Sequence, residues 1–184
     1  MGPARAWWMF RSFGHKDVSI LNGSMAHWEN QGFPVNSNEP ETPAPSSYNA
    51  ILNKDMVVDI DQVMDISASQ SAPILDARPA ERFSGQAEEP RPGMRSGHIP
   101  NSRNIQTGSL INPNSGGLKN NEELKEIIAN DILETSASPV MTCGSGVTAC
   151  VIALACYQLG REDWRIYDGS WSEWGQSNHP VATT

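Results

Sequence analysis

A cysteine-bearing turn between two apolar runs most strongly constrains how this chain can fold. The run at 139–142 is short and apolar, which is typical of the end of a buried strand. Residues 147–159 carry apolar side chains at helical spacing, so a helix is predicted there. Cys143 lies between these runs, with Gly144 and Gly146 close behind it. A strand, a tight turn and a helix in this order predict an α/β protein.

The same turn predicts a reactive thiol at Cys143. A turn that joins a strand to a helix directs backbone N–H groups and the positive end of the helix toward one side chain. Such a sulfur should ionise easily and act as a nucleophile near neutral pH. Gly144 and Gly146 permit the tight turn, so we favour this interpretation over a small residue at an ordinary turn.

Charge and cysteine usage narrow the range of functions. The chain has 184 residues and a formal net charge of −8, which argues against nucleic acid or an anionic membrane as a main partner. Three cysteines without a CxxC pair predict neither a disulfide framework nor a zinc site, and we expect no cofactor or metal. This usage, with no signal-peptide pattern at the start, predicts a reducing compartment, namely the cytoplasm.

Strands are predicted to alternate with helices from Ala50 to the end of the chain. The apolar run at 56–58 begins this unit, and the predicted strands span residues 72–78, 102–106, 139–142 and 164–167. The predicted helices span residues 61–64, 121–132 and 147–159, and a loop rich in glycine and proline spans 84–98. This alternation predicts a parallel sheet with helices on both faces.

The start of the chain repeats the plan of its end. Residues 4–13 predict a helix that ends at Gly14, residues 18–21 predict a strand, and Ser24 is predicted to cap a short second helix. An alignment without gaps, 146 positions apart, matches six residues: Gly14, Asp17, Ile20, Gly23, Ser24 and Trp28 with Gly160, Asp163, Ile166, Gly169, Ser170 and Trp174. Six matches on one helix–strand–turn–helix plan predict a duplication.

The repeat predicts three parts. Residues 1–33 are predicted to be the remnant of an inactive first unit, residues 34–49 a proline-rich interdomain linker, and residues 50–184 the catalytic unit. We therefore expect a truncated chain that turns over slowly and binds its substrate weakly. Its first helix should expose an apolar face formed by Trp7, Trp8 and Phe10, unless that helix packs on the second unit or self-associates.

Four segments resemble the rhodanese superfamily, and most closely its two-domain sulfurtransferases. They are Asp76–Arg78, Gly97–Pro100, Cys143–Ala149 and Tyr167–Trp174. Residues 6–23 also resemble the end of the inactive first domain in those enzymes. The resemblance implies a rhodanese-like α/β fold with a central parallel sheet of five strands and helices on both faces.

Two sulfurtransferase activities share this architecture, and the residues after the cysteine distinguish them. The thiosulfate enzymes resemble one another in carrying basic residues there, whereas this chain has Gly144 and Ser145. The resemblance therefore implies a 3-mercaptopyruvate sulfurtransferase, with a thiosulfate:cyanide sulfurtransferase as the alternative. A non-catalytic rhodanese-like binding module is a further alternative. Phosphatases of similar design need an arginine where this chain has Ala149, so phosphatase chemistry is not expected.

The resemblance also assigns roles. Cys143 would take sulfur from 3-mercaptopyruvate as a persulfide, release pyruvate, and pass the sulfur to cyanide or to a thiol acceptor such as thioredoxin or glutathione. Ser145 would donate a hydrogen bond to the departing sulfur or to the carbonyl. Arg82 and Arg91 match substrate-binding arginines. The other residues expected around the substrate are the loop residues Gly144, Gly146, Val147 and Thr148.

Several nearby residues have simpler interpretations. From the residues alone, Arg82 and Arg91 could be surface residues paired with nearby glutamates: Glu81, Glu88 or Glu89. Structural roles are predicted for the remaining candidates, which are Asp76, Arg78, His98, Cys150, Cys156, Trp171 and Trp174.

Overall fold

Five short parallel strands form the centre of the molecule. They are β1 (Val57–Val58), β2 (Ile74–Asp76), β3 (Ser102–Asn104), β4 (Val140–Thr142) and β5 (Arg165–Tyr167). They lie in the order β1-β5-β4-β2-β3, and each neighbouring pair is parallel. The four strands predicted between residues 72 and 167 and the central parallel sheet of five strands implied by the resemblance are thus confirmed. Because β4 is the central strand, Cys143 leaves the sheet at the middle of its carboxyl edge.

The structure is a computed structural model that describes residues 2–39 and 42–184. Met1, Pro40 and Glu41 belong to the predicted first unit and linker, and they lie outside the described residues. The helices are α1 (Gly2–Ser12), α2 (Met25–Asn30), α3 (Ile60–Ser69), α4 (Ala80–Ser84), α5 (Asn121–Ile127), α6 (Asn130–Glu134), α7 (Ala149–Gln158) and α8 (Ser170–Trp174). No helix in these two ranges combines the length and apolar character that crossing a bilayer requires.

Alternate residues of the strands pack against opposite faces of the sheet. On one face, Leu75, Met141 and Ile166 join the core that includes α1, α5, α6 and α7. On the other face, neighbouring strand residues such as Ile74 and Val140 pack with α3 and α8. The period of two along each strand accounts for helices on both faces.

The segment 121–132 forms two helices rather than the single helix that its apolar spacing predicts. α5 begins with a capping box between Asn120 and Glu123 and ends at Ile127, because the backbone of the next residue, Ile128, is extended. A second helix, α6, begins two residues later, and both Ile128 and Ile132 are fully buried. Periodicity alone does not reveal a break that preserves the burial of the same face.

The predicted strand at 18–21 was wrong. A strand needs a neighbour to pair its backbone groups, and no strand lies beside these residues in the described ranges. Short polar contacts hold the following turn instead. The side chain of Asn22 accepts a hydrogen bond from the N–H of Leu118 at 2.7 Å, and the N–H of Ser24 donates to the carbonyl of Ser115 at 2.7 Å.

Two pairs of matching positions in the sequence repeat share a local structure, although residues 18–21 do not form the counterpart of β5. Gly14 and Gly160 follow α1 and α7 with φ angles of 91° and 89°, a left-handed backbone that favours glycine at a helix end. Trp28 and Trp174 each donate their indole N–H to the carbonyl of the proline six residues later, at 3.0 Å in both cases. Ser24 caps α2 as predicted. These shared details agree with the duplication predicted from the sequence.

α1 packs on α7, which is its own counterpart in the repeat. Trp7 is 2% exposed, with its ring centroid 5.2 Å from that of Tyr157 and 5.5 Å from that of Trp164. The guanidinium carbon of Arg11 lies 4.4 Å from the centre of the Tyr157 ring. An exposed face formed by Trp7, Trp8 and Phe10 was expected unless α1 packed on the second unit. Because α1 does pack there, Trp7 and Trp8 are buried and only Phe10 of these three is exposed, at 53%.

We predict that Trp7→Ala lowers the free energy of unfolding by about 3 kcal/mol, because it empties a buried aromatic site between α1 and α7. Phe10→Ala on the same helix is the control, and it should change that free energy by less than about 0.5 kcal/mol. Urea unfolding followed by circular dichroism measures both values. Equal losses for the two variants would contradict the packing of α1 described above.

Candidate active site

The cysteine loop, residues 143–148, joins β4 to α7 at the carboxyl edge of the sheet. Cys143 is only 1% exposed, yet it lines a cavity of about 500 Å³. Gly146 turns the loop with a φ of 74°, and a Cβ atom at this position would lie 2.5 Å from Oδ1 of Asp168. The turn therefore requires glycine at Gly146 for its backbone conformation and for the close approach of Asp168.

Three carbonyl groups of the cysteine loop are held on its outer side. The first turn of α8 holds two of them, because Trp171 N–H donates to the carbonyl of Cys143 and Ser172 N–H to that of Gly144, each at 2.9 Å. Arg5 Nη1 of α1 donates to the third, the carbonyl of Gly146, at 3.2 Å.

A held carbonyl fixes the direction of the next N–H group. The peptide bonds of the described residues are trans, so each carbonyl points opposite to the N–H in the same peptide plane. The N–H groups of Gly144, Ser145 and Val147 therefore point away from α8 and α1. No acceptor in the described chain pairs with the N–H groups of residues 144–149. These groups are available to an anionic sulfur on Cys143.

The cavity brings together most of the predicted site residues. Arg82, Arg91, Gly144, Ser145, Val147 and Thr148 line it beside Cys143. Gly146 is the exception, since it is buried behind the loop against Asp168. The sequence interpretation missed the opposite wall, which comes from the segment after β3: Gln106, Thr107 and Gly108. Residues that follow β2 and β3 in a parallel sheet meet at the same edge as Cys143, and this topology could have indicated them.

A buried glutamate joins two arginines at one wall of the cavity. Glu89 has a side-chain exposure of 1%, and its Oε1 accepts hydrogen bonds from Arg78 Nη1 at 2.7 Å and from Arg82 Nε at 3.2 Å. A second contact joins Arg82 Nη2 to Glu89 Oε2. Arg78 also binds Asp76 at 2.7 Å, as its predicted structural role requires. Arg82 is thus both paired with a glutamate and exposed to the cavity.

Arg91 provides the uncompensated positive charge of the cavity. The carboxylates of Asp76 and Glu89 balance the guanidinium groups of Arg78 and Arg82. Arg91 is exposed, lines the cavity and makes no ion pair or side-chain hydrogen bond within residues 2–39 and 42–184. A singly charged carboxylate entering the cavity would therefore meet one free guanidinium group.

The hydroxyl of Ser145 is free to contact a bound molecule. Ser145 is exposed at the cavity wall, and its side chain has no hydrogen-bond partner in the described part of the chain. Its position, two residues after Cys143, is compatible with the predicted role as a hydrogen-bond donor.

The residues predicted to be structural contact protein groups. His98 is 5% exposed, stacks on Phe83, and places Nδ1 2.8 Å from the carbonyl of that phenylalanine. Trp171 is buried with its indole N–H on the carbonyl of Arg95, and the guanidinium carbon of Arg78 lies 4.1 Å from its ring centre. His98 therefore has a structural role, and it does not line the cavity, where a general base would have to lie.

Cys150 and Cys156 are fully buried in α7, as predicted for small apolar residues. Burial raises the pKa of each thiol to about 12. Arg5 opposes this effect at Cys150, but burial dominates. Both groups therefore stay protonated and poorly nucleophilic until the pH approaches 12.

We predict that iodoacetamide at pH 8 alkylates the native protein at Cys143 and leaves Cys150 and Cys156 unmodified. The raised pKa keeps these two thiols neutral at this pH, and burial removes their access to the reagent. In 8 M urea, all three should react. Peptide mass spectrometry identifies the modified residues. Rapid alkylation of Cys150 in the native protein would contradict its assignment as a structural residue.

Comparison with known proteins identifies the family of this chain. Residues 59–177 match the rhodanese-like domain family. The thiosulfate sulfurtransferase of Gallus gallus is 42% identical over 170 residues, which are 92% of this chain and 57% of that protein. The 3-mercaptopyruvate sulfurtransferase of Mus musculus is 39% identical over 176 residues, which are 96% of this chain and 59% of that protein. The chain thus spans less than two thirds of the length of these relatives.

A solved structure supports the same assignment. The 3-mercaptopyruvate sulfotransferase SseA of Escherichia coli superposes with a TM-score of 0.76 at 38% identity, covering 92% of this chain and 62% of that one. By its sequence, its five-stranded parallel sheet and its cysteine loop, this chain belongs to the rhodanese family.

Proposed function

We propose that this chain carries the catalytic half of a sulfurtransferase that uses Cys143 as a persulfide carrier. The observation that carries this proposal is the row of N–H groups at residues 144–149, which have no acceptor among residues 2–39 and 42–184 and follow a thiol that lines a cavity. An anionic sulfur at this position gains hydrogen bonds that a neutral side chain would not need. The relatives named above are sulfurtransferases, which supports the same chemistry.

The preferred donor in this proposal is 3-mercaptopyruvate. The Cys143 thiolate attacks the donor sulfur, an S–S bond forms, and the C–S bond of the donor breaks. The electron pair of that bond passes to the methylene carbon, which takes up a proton to give pyruvate. Cys143 keeps the transferred sulfur as a persulfide, which the loop N–H groups stabilise.

The charge of the cavity supports a singly charged donor. Gly144 and Ser145 bring no positive charge to the loop, and Arg91 is the one uncompensated guanidinium group among the described lining residues. Arg91 and the cavity-facing side of Arg82 bind the carboxylate of the donor, and Ser145 donates to its carbonyl or departing sulfur. Thiosulfate is the second candidate, because a thiosulfate sulfurtransferase is among the relatives at 42% identity.

The second half-reaction transfers the outer sulfur to an acceptor. Ser145 is exposed and Val147 is 36% exposed, so the cysteine loop faces solvent on its cavity side. Cyanide or a thiol such as glutathione or thioredoxin is the proposed acceptor, in a reducing cytoplasmic compartment. Residues 1–33 are proposed to be the end of a first rhodanese-like unit, which the matched ends of α1 and α7 support.

We predict that Cys143→Ser abolishes both pyruvate release from 3-mercaptopyruvate and sulfur transfer from thiosulfate to cyanide. Cys156→Ala, in the same helix-and-loop region but buried, is the control and should retain wild-type rates. Activity retained by Cys143→Ser with either donor would disprove the mechanism. A much higher kcat/KM for thiosulfate than for 3-mercaptopyruvate in the wild type would reverse the proposed donor preference.

We predict that Arg91→Met raises the KM for 3-mercaptopyruvate by about tenfold, because the variant loses a charge-assisted contact with the donor carboxylate. Arg103→Met is the matched control, since Arg103 is 55% exposed and pairs with Asp131. Steady-state kinetics of pyruvate release measure both variants. The same KM for the two variants would remove Arg91 from the substrate site.

A further inference from the structure

We propose that Arg5 of α1 is a positioning residue for the cysteine loop, which it holds through the carbonyl of Gly146. This inference rests on the proposed function, since it concerns the same loop. It assigns a role in the site to a helix that precedes Cys143 by more than a hundred residues.

The guanidinium group of Arg5 is fixed by three neighbours. Nη1 donates to the carbonyl of Gly146 at 3.2 Å and also contacts Oδ1 of Asp168, while Nη2 donates to Oδ2 of Asp168 at 3.2 Å. Its central carbon lies 4.4 Å from the centre of the Trp8 ring. The Asp168 carboxylate raises the pKa of Arg5 further, so its charge is permanent. The side chain is only 24% exposed, which limits solvent competition for these contacts.

Arg5 acts on the part of the loop that α8 does not reach. The first turn of α8 holds the carbonyls of Cys143 and Gly144, which fixes the N–H groups of Gly144 and Ser145. The carbonyl of Gly146 receives Arg5 and the weakly donating thiol of Cys150 at 3.3 Å. Because the peptide is planar, holding this carbonyl outward turns the N–H of Val147 inward.

The left-handed backbone at Gly146 makes this restraint necessary. Glycine at this position has more accessible conformations than any other residue, so the peptide that follows it can rotate unless a partner holds it. Among the donors in the described residues, loss of Arg5 would leave only the thiol of Cys150 on the carbonyl of Gly146. The N–H of Val147 would then be oriented toward the anionic sulfur for a smaller fraction of the time.

The test compares Arg5→Met and Arg5→Lys with the matched control Arg11→Met. Arg11 lies on the same helix and also stacks on aromatic rings, but it pairs with Tyr157 and Glu162 and does not touch the loop. We expect Arg5→Met to lower kcat for pyruvate release by about tenfold, which is less than the loss of a direct oxyanion donor. The KM should change by less than about twofold, because Arg82 and Arg91 bind the donor.

Arg5→Lys keeps the charge but has one nitrogen, which cannot bind Asp168 and Gly146 in the same fork. Because the retained charge can still bind one of these two partners, Arg5→Lys should recover part of the kcat that Arg5→Met loses. The amide resonance of Val147 in a ¹⁵N–¹H spectrum should shift in both Arg5 variants and stay unchanged in Arg11→Met. These three results together support the proposal.

Two outcomes would overturn it. One is a wild-type kcat in both Arg5 variants. The other is an equal loss in Arg5→Met and Arg11→Met without a selective shift of the Val147 amide, which would assign the effect to the packing of α1. A wild-type protein that forms no persulfide with either donor would instead disprove the proposed function, and the Val147 resonance would still test the contact of Arg5.

Discussion

The planarity of the peptide bond links the scaffold of this protein to its candidate chemistry. Carbonyl oxygens of the cysteine loop are held from behind, and the N–H groups in the same peptide planes consequently face the other way. No side chain has to enter the crowded space around Cys143 to create this polarity. The central sheet places Cys143 at its carboxyl edge, and α8 and α1 supply the groups that hold those oxygens.

Charge balance is the second constraint. Burying Arg78 beneath the cavity requires carboxylates, and Asp76 and Glu89 provide them. Glu89 also takes part of the hydrogen-bonding capacity of Arg82, which lowers the attraction of the cavity for multiply charged anions. The paired groups at this wall of the cavity thus have balanced charges, and the exposed Arg91 supplies the remaining positive charge.

Local sequence patterns predicted the parts of the structure that depend on local forces. The strands β2, β4 and β5 follow from short apolar runs, and the turn at Cys143 follows from glycine at two positions. Glu89 was one of three glutamates predicted as partners of Arg82 or Arg91, and the sequence did not show which of them is buried between Arg78 and Arg82. Arg5 gave no signal, because its partners Gly146 and Asp168 are distant in sequence. The segment 18–21 has a strand pattern, but a pattern cannot supply the neighbouring strand that it needs.

α1 contacts the cysteine loop near its start and α7 near its end. The starts of the helices meet where Arg5 reaches Gly146, and their ends meet where Arg11 stacks on Tyr157, the residue that matches it in the repeat. A substitution near either end of α1 therefore alters contacts with a different part of residues 50–184: the cysteine loop in one case and the end of α7 in the other.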